Sequence, residues 1–190
     1  MLALAASSHP VIYWYLTRAT GIVALCLLTC AVVLGVTNVS RFASERWPRF
    51  VIDGVHRRVA LLSVVFLAIH VTTTIMDGYV PVTLFDVLVP FHSPYRTFWV
   101  GLGTIACDLL LALVITSLLR VRLGYNAWRS VHWLAYACWP VAVLHGAGTG
   151  TDFRQLWMFA IDAACVLAVI GAVGVRLSLG GVGGSAGAWR

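Results

Sequence analysis

Four of the six histidines fall inside apolar stretches, two on each: His56 with His70, 14 residues on, and His132 with His145, 13 residues on. Imidazole inside a membrane is expensive and marks a functional site by default. One such histidine can be a satisfied bond between helices; two similarly spaced pairs ask for shared ligands. At 1.5 Å rise per residue each pair spans about 20 Å, which fits inside a hydrocarbon core of about 30 Å. Two crossings separate the stretches, so they run parallel. His56 then shares a level with His132, and His70 with His145. Two stacked levels of facing imidazoles suit two bis-histidine b-type haems (haem iron held axially by His56, His132, His70 and His145). Saturating the iron from both sides favours electron transfer over ligand activation.

Helical phase constrains this reading. Fourteen residues make about 3.9 turns, so His56 and His70 share a face, whereas thirteen make about 3.6 and swing His145 away from His132. Pro140 lies between that second pair and interrupts the backbone ladder. A tightened turn there would restore the face.

The neighbours bear on the same ligand. Gly21 and Gly35 repeat the 14-residue spacing; they suit either the close approach of a flat ring or ordinary packing at small residues. Arg57, Arg58 and Arg129 flank the inner pair, as propionate partners or as topology arginines. Arg18 stands a turn or two inside the first span and is a candidate clamp for the outer propionates. Asp108 and Asp162, also intramembrane, read as a proton path or as structural bonds to neighbouring helices. His92, in Pro90-Phe91-His92-Ser93-Pro94, is a metal-substrate ligand or a solvated loop residue. His9 is terminal, and no role is assigned to it.

These side chains need membrane helices to hold them. Hydrophobic residues are 61% and charged residues 11%, with mean hydropathy +0.91, against about 45–50% and about 25% in soluble domains. So few charges cannot solubilise such a core, which excludes a soluble globule, disorder and a disulfide scaffold. The net charge of +6 is all arginine and borders apolar spans, so it does not indicate nucleic acid. Cys26, Cys30, Cys107, Cys138 and Cys165 lie in apolar segments without CxxC or CxxCH, excluding a zinc ribbon and covalent haem attachment.

Residues 11–36, 52–76, 97–119, 130–147 and 156–175 are each long enough, or nearly so, to span a bilayer. Continuous rather than alternating apolarity makes them helices. The expectation is an all-α membrane protein, a five-transmembrane-helix bundle. Residues 1–10 form a short extracytoplasmic N-terminus, 11–175 the haem-binding domain, and 176–190 a flexible Gly-rich cytoplasmic tail. The N-terminus carries no basic residue before its first span, so a cleavable signal is not expected. Of 13 arginines, ten (Arg41, Arg46, Arg49, Arg57, Arg58, Arg120, Arg122, Arg129, Arg176, Arg190) lie on one side and two (Arg96, Arg154) on the other. That bias sets the N-terminus outside and the C-terminus in the cytoplasm. Tyr13, Trp14 and Tyr15 become an outer aromatic belt. Residues 77–96, with Pro81, Pro90 and Pro94, form an extracytoplasmic interfacial or re-entrant segment.

With these residues in view the sequence resembles the ferric reductase-like transmembrane domain, the haem-binding core of ferric reductases and NADPH oxidases, and is similar to the MsrQ (YedZ) membrane subunit. The carrying residues are His56-Arg57-Arg58 through Ile69-His70, then Thr116-Ser117-Leu118-Leu119-Arg120. They continue with Leu123-Gly124-Tyr125-Asn126-Ala127-Trp128-Arg129-Ser130-Val131-His132-Trp133-Leu134-Ala135-Tyr136, and end at His145. Arg18-Ala19-Thr20-Gly21 also fits, and the paired spacings match the oxidase pattern. The resemblance implies electron transfer across the cytoplasmic membrane of a bacterium, as an oxidoreductase component. Oxidases and many ferric reductases carry a flavin and nicotinamide domain and commonly six spans, so a separate flavoprotein or quinol donor is expected here, with an extracytoplasmic acceptor. The rival readings are a quinol-linked cytochrome b subunit of a respiratory complex, and a non-redox metal transporter lined by His70, His145, Asp108 and Asp162.

Overall fold

The computed structural model describes residues 11–39, 48–78, 80–150 and 155–182; the N-terminal segment, His9, Arg41 and Arg46 lie outside them. Eight helices occur among the described residues: α1 (Val11–Val39), α2 (Arg49–Asp77), α3 (Leu84–Leu88), α4 (Thr97–Leu118), α5 (Arg120–Leu123), α6 (Tyr125–His132), α7 (Ala135–Thr149) and α8 (Leu156–Val182). No strand accompanies them, and the chain is a multi-pass, all-α membrane protein. Hydrocarbon offers backbone groups no partner, so apolar sequence of this length satisfies them within each helix.

Among the described residues four helices, rather than the five expected, are by themselves long and apolar enough to cross: Val11–Asn38, Phe50–Asp77, Thr97–Leu118 and Leu156–Ser178. The expected span at 130–147 is divided between α6 and the 15-residue α7. The division is a tightened turn. Leu134 N–H donates to Val131 O, Tyr136 to Trp133 and Ala137 to Leu134, all three residues back. Each residue wound at 3.0 per turn advances about 20° further than at 3.6. Three such residues recover about 60° of the roughly 140° that the histidine phase requires, and this tightening lies upstream of Pro140, not at it.

Other boundaries follow local chemistry. Pro48 is extended before α2, and Gly78 closes that helix in the left-handed conformation at φ 63°, as a C′ glycine does. Gly124 joins α5 to α6 at φ 78°, ψ 160°, a region open only to glycine. The segment between α2 and α4 carries the short helix α3, closed by a capping box between Thr83 and Asp86. It is tied to the bundle where Thr104 Oγ1 donates to Asp86 O at 2.8 Å. At the far end α8 continues to Val182, seven residues into the expected tail, whose remainder lies outside the described residues.

Two antiparallel hairpins make the frame. In the first, α2 runs back along α1: Thr17 bonds Thr73, Ala31 meets His56, and Asn38 bonds Asp53. In the second, α7 runs back along α4: Arg96 bonds Gly148, Trp99 meets His145, and Cys138 bonds Ala106. Trp139 Nε1 donates to Thr29 Oγ1 at 2.9 Å and links the hairpins, while Arg176 on α8 donates to the Tyr136 hydroxyl. Leu110, Leu113 and Cys138 form the buried core, with Leu28, Val64 and Leu67 against them. Leu62, Val65, Ile115, Leu167 and Ile170 are exposed, the apolar outer face that a bilayer requires.

Candidate metal centre

The first hairpin presents His56 and His70 from α2; the second presents His145 from α7, with His132 on the adjoining α6. His56 and His132 face one another with ring centroids 6.3 Å apart, and His70 and His145 with centroids 6.4 Å apart. Because 56 meets 132 and 70 meets 145, α2 runs parallel to the α6–α7 unit. The four rings form two pairs, and no cluster of three or more His, Cys, Asp or Glu is assembled among the described residues. A ring nitrogen lies about 1.1 Å from its centroid and about 2.0–2.1 Å from a coordinated metal such as zinc. Two imidazoles on opposite sides of one ion thus place their centroids roughly 6.3 Å apart. At that spacing His56 with His132, and His70 with His145, would fit a metal ion held between the two rings of each level.

Three rings are held by the backbone. His70 Nδ1 lies 2.7 Å from Thr17 O, His56 Nδ1 2.9 Å from Ala31 O, and His145 Nδ1 2.8 Å from Trp99 O. A carbonyl only accepts, so each Nδ1 carries the proton and each Nε2 keeps its lone pair for a metal. The fourth ring differs. His132 Nδ1 is buried without a hydrogen-bond partner among the described residues, and the ring stacks on Trp128 at 4.9 Å and 29°.

Glycines make the three bonds accessible. Gly21, Gly35 and Gly103 each stand four residues after an accepting carbonyl, that of Thr17, Ala31 or Trp99. A Cβ at Gly21 would lie 2.9 Å from His70 Cε1, and one at Gly103 2.5 Å from His145 Cε1. At Gly35 the nearest atom, His56 Cε1, is 3.5 Å away. The sequence singled out Gly21 and Gly35 for a flat ring or for helix packing; what faces them is an imidazole edge. It passed over Gly103, whose signal is positional: a glycine on the helix preceding a histidine helix.

A cavity of about 320 Å³ opens at the His70–His145 level, walled in part by Arg18, Gly21, Gly103 and Asp86. The Arg18 guanidinium lies 4.1 Å from the Trp14 ring centroid, in a cation–π contact. Arg57, Arg58 and Arg129 are exposed near the other level. Arg120, not singled out as a site residue, lies 4.3 Å from the Trp128 centroid. Asp108 is exposed, Asp162 is buried on α8, and neither lines the cavity. The structure thus does not bring these acids to His70 and His145. His92 is half-exposed and its Nδ1 donates to the buried Asp86 carboxylate at 2.8 Å. Thr83 N and Oγ1 also donate to that carboxylate, each at 2.7 Å. Together these bonds hold Asp86 below the usual carboxyl range.

No curated protein and no solved structure matches the chain. One family does, described as the ferric reductase like transmembrane component, over residues 20–147. That interval covers more than half of the 190 residues and contains all four paired histidines; the chain belongs to this family.

Proposed function

We propose that this protein is a dihaem b-type membrane cytochrome that moves electrons across the cytoplasmic membrane, in the manner of a ferric reductase-like component. The observation that carries this reading is the pairing of imidazoles at 6.3 and 6.4 Å within a membrane bundle. When bound, each b-type haem would supply a one-electron iron couple. His56 with His132 would hold the inner group, and His70 with His145 the outer. Arg18, on the wall of the cavity, would meet the outer propionates through charge-assisted bonds. Arg57, Arg58 and Arg129 would serve the inner ones. The α6–α7 unit would cross as the fifth span, with the arginine-rich ends in the cytoplasm.

A flavoprotein or quinol would donate at the inner level, and an extracytoplasmic acceptor would take electrons at the outer. The cheapest test is haem quantified per chain together with an absorption spectrum of the purified protein. Two acid-extractable, low-spin haems are expected. One per chain would reduce the reading to a single site, and a colourless, folded protein would end it in favour of the transporter.

A further inference from the structure

The two hairpins are copies of one device, and one corner of it departs from the rest. In the first hairpin, α1 supplies carbonyl and glycine twice: Thr17 with Gly21 and, 14 residues on, Ala31 with Gly35. In the second, α4 supplies Trp99 with Gly103. Fourteen residues after that pair, at the same angular position on the helix, stand Leu113 and Ser117. Ser117 therefore occupies the fourth glycine position. Its hydroxyl accepts from Trp128 Nε1 at 3.1 Å, and Trp128 stacks on His132. This is the histidine whose Nδ1 is buried with no partner among the described residues. A stack restrains a ring's plane but supplies no acceptor for its proton.

We infer that the two levels are chemically unequal and that His132 is the exchangeable ligand of the set. An Nδ1–H···O=C bond fixes the tautomer and makes the imidazole a stronger donor through Nε2; losing such a partner typically costs 10–100-fold in metal affinity. Three ligands have this support and His132 does not. The His56–His132 site is then where a coordination position opens and where a small exogenous ligand binds, while the His70–His145 site stays closed. Only a coordinate bond is exchanged, His132 Nε2 for the incoming ligand, with no change in electron count. The inference rests on the dihaem reading.

The test has two arms. Carbon monoxide is added to the dithionite-reduced holoprotein and the fraction of haem that reacts is read from the difference spectrum. About half of the haem should bind it. Replacing Trp128 by Leu, which removes the stack that restrains the His132 ring, should raise the apparent affinity. Gly103→Ala, which crowds His145 off the Trp99 carbonyl, should bring the second haem into reaction. Reaction of both wild-type haems, of neither, or an unchanged affinity in Trp128→Leu overturns the inference while leaving two haems per chain intact. The second arm needs no haem. Nitrogen-15 NMR of histidine-labelled protein, with signals assigned by single replacements, should show His56, His70 and His145 as fixed Nδ1–H tautomers and His132 as a mixture. A fixed His132 tautomer overturns the inference even in a colourless preparation.

Discussion

Three glycines decide how three imidazoles are held, and the sign of a glycine replacement depends on what faces it. In a helix interior Gly→Ala should stabilise by roughly 1 kcal/mol, because alanine has less chain entropy to lose. Gly54 on α2 has nothing within 4 Å of a new Cβ, so Gly54→Ala should show that gain as a higher melting temperature in detergent. Gly21→Ala should do the reverse. Its Cβ falls 2.9 Å from both Cε1 and Nδ1 of His70, and the ring must leave the Thr17 carbonyl. Loss of haem from the His70 level, without loss from the other, is the expected result. Gly35→Ala, at 3.5 Å, should fall between these two. Equal retention of both haems in Gly21→Ala would mean that the glycine serves only helix packing. At this scale the sequence showed the 14-residue spacing of Gly21 and Gly35 but not their partner, because which carbonyl a glycine exposes depends on the helix opposite.

The elements were legible where apolar length alone decides them. α1, α2, α4 and α8 all correspond to expected spans, because hydrocarbon leaves such sequences one way to satisfy their backbone. The α6–α7 division was not legible. It rests on three hydrogen bonds that each step back three residues, and no glycine or proline marks that turn. The segment between α2 and α4 was expected to be interfacial or re-entrant; its organising contact was not legible. Asp86 accepts from Thr83 N, Thr83 Oγ1 and His92 Nδ1, and these bonds favour the carboxylate and depress its pKa. The sign of the pH effect follows. A carboxyl with a folded pKa below its ordinary 3.8 contributes stability that is fully present above that value. The contribution fades as pH falls through the lower folded value. The α3 segment should therefore hold from neutral pH down to about 4 and loosen below it, with hydrogen exchange of Leu84–Leu88 as the readout. Asp86→Asn should remove this acid dependence and cost about 1–2 kcal/mol at neutral pH. An acid transition that survives Asp86→Asn would assign it to another group.

At the scale of the molecule, apolar side chains stand between the two histidine levels. Leu28 stands seven residues after Gly21 and seven before Gly35; Leu110 stands midway between Gly103 and Ser117 in the same way. Both belong to the cluster around Cys138, whose side chain is fully buried. The levels lie about 20 Å apart along the helices, so on the dihaem reading a carrier is needed at each. The pairing of levels was legible because two crossings between α2 and the α6–α7 unit force them parallel. The duplication of hairpins was not, because the copies share carbonyl positions and glycines rather than sequence. In vesicles with a reductant inside and an impermeant ferric acceptor outside, the intact protein should pass electrons outward. Replacing any one of His56, His70, His132 or His145 by Ala should slow that transfer strongly, since each loss empties or weakens one level. The spectra should divide the four into two classes. His70→Ala and His145→Ala should share one defect and spare the other haem; His56→Ala and His132→Ala should share the second. If His70→Ala gave the defect of His132→Ala while His145→Ala did not, the pairing would be wrong. If all four variants kept the wild-type rate across the membrane, the electrons would be taking a path that does not pass through these histidines.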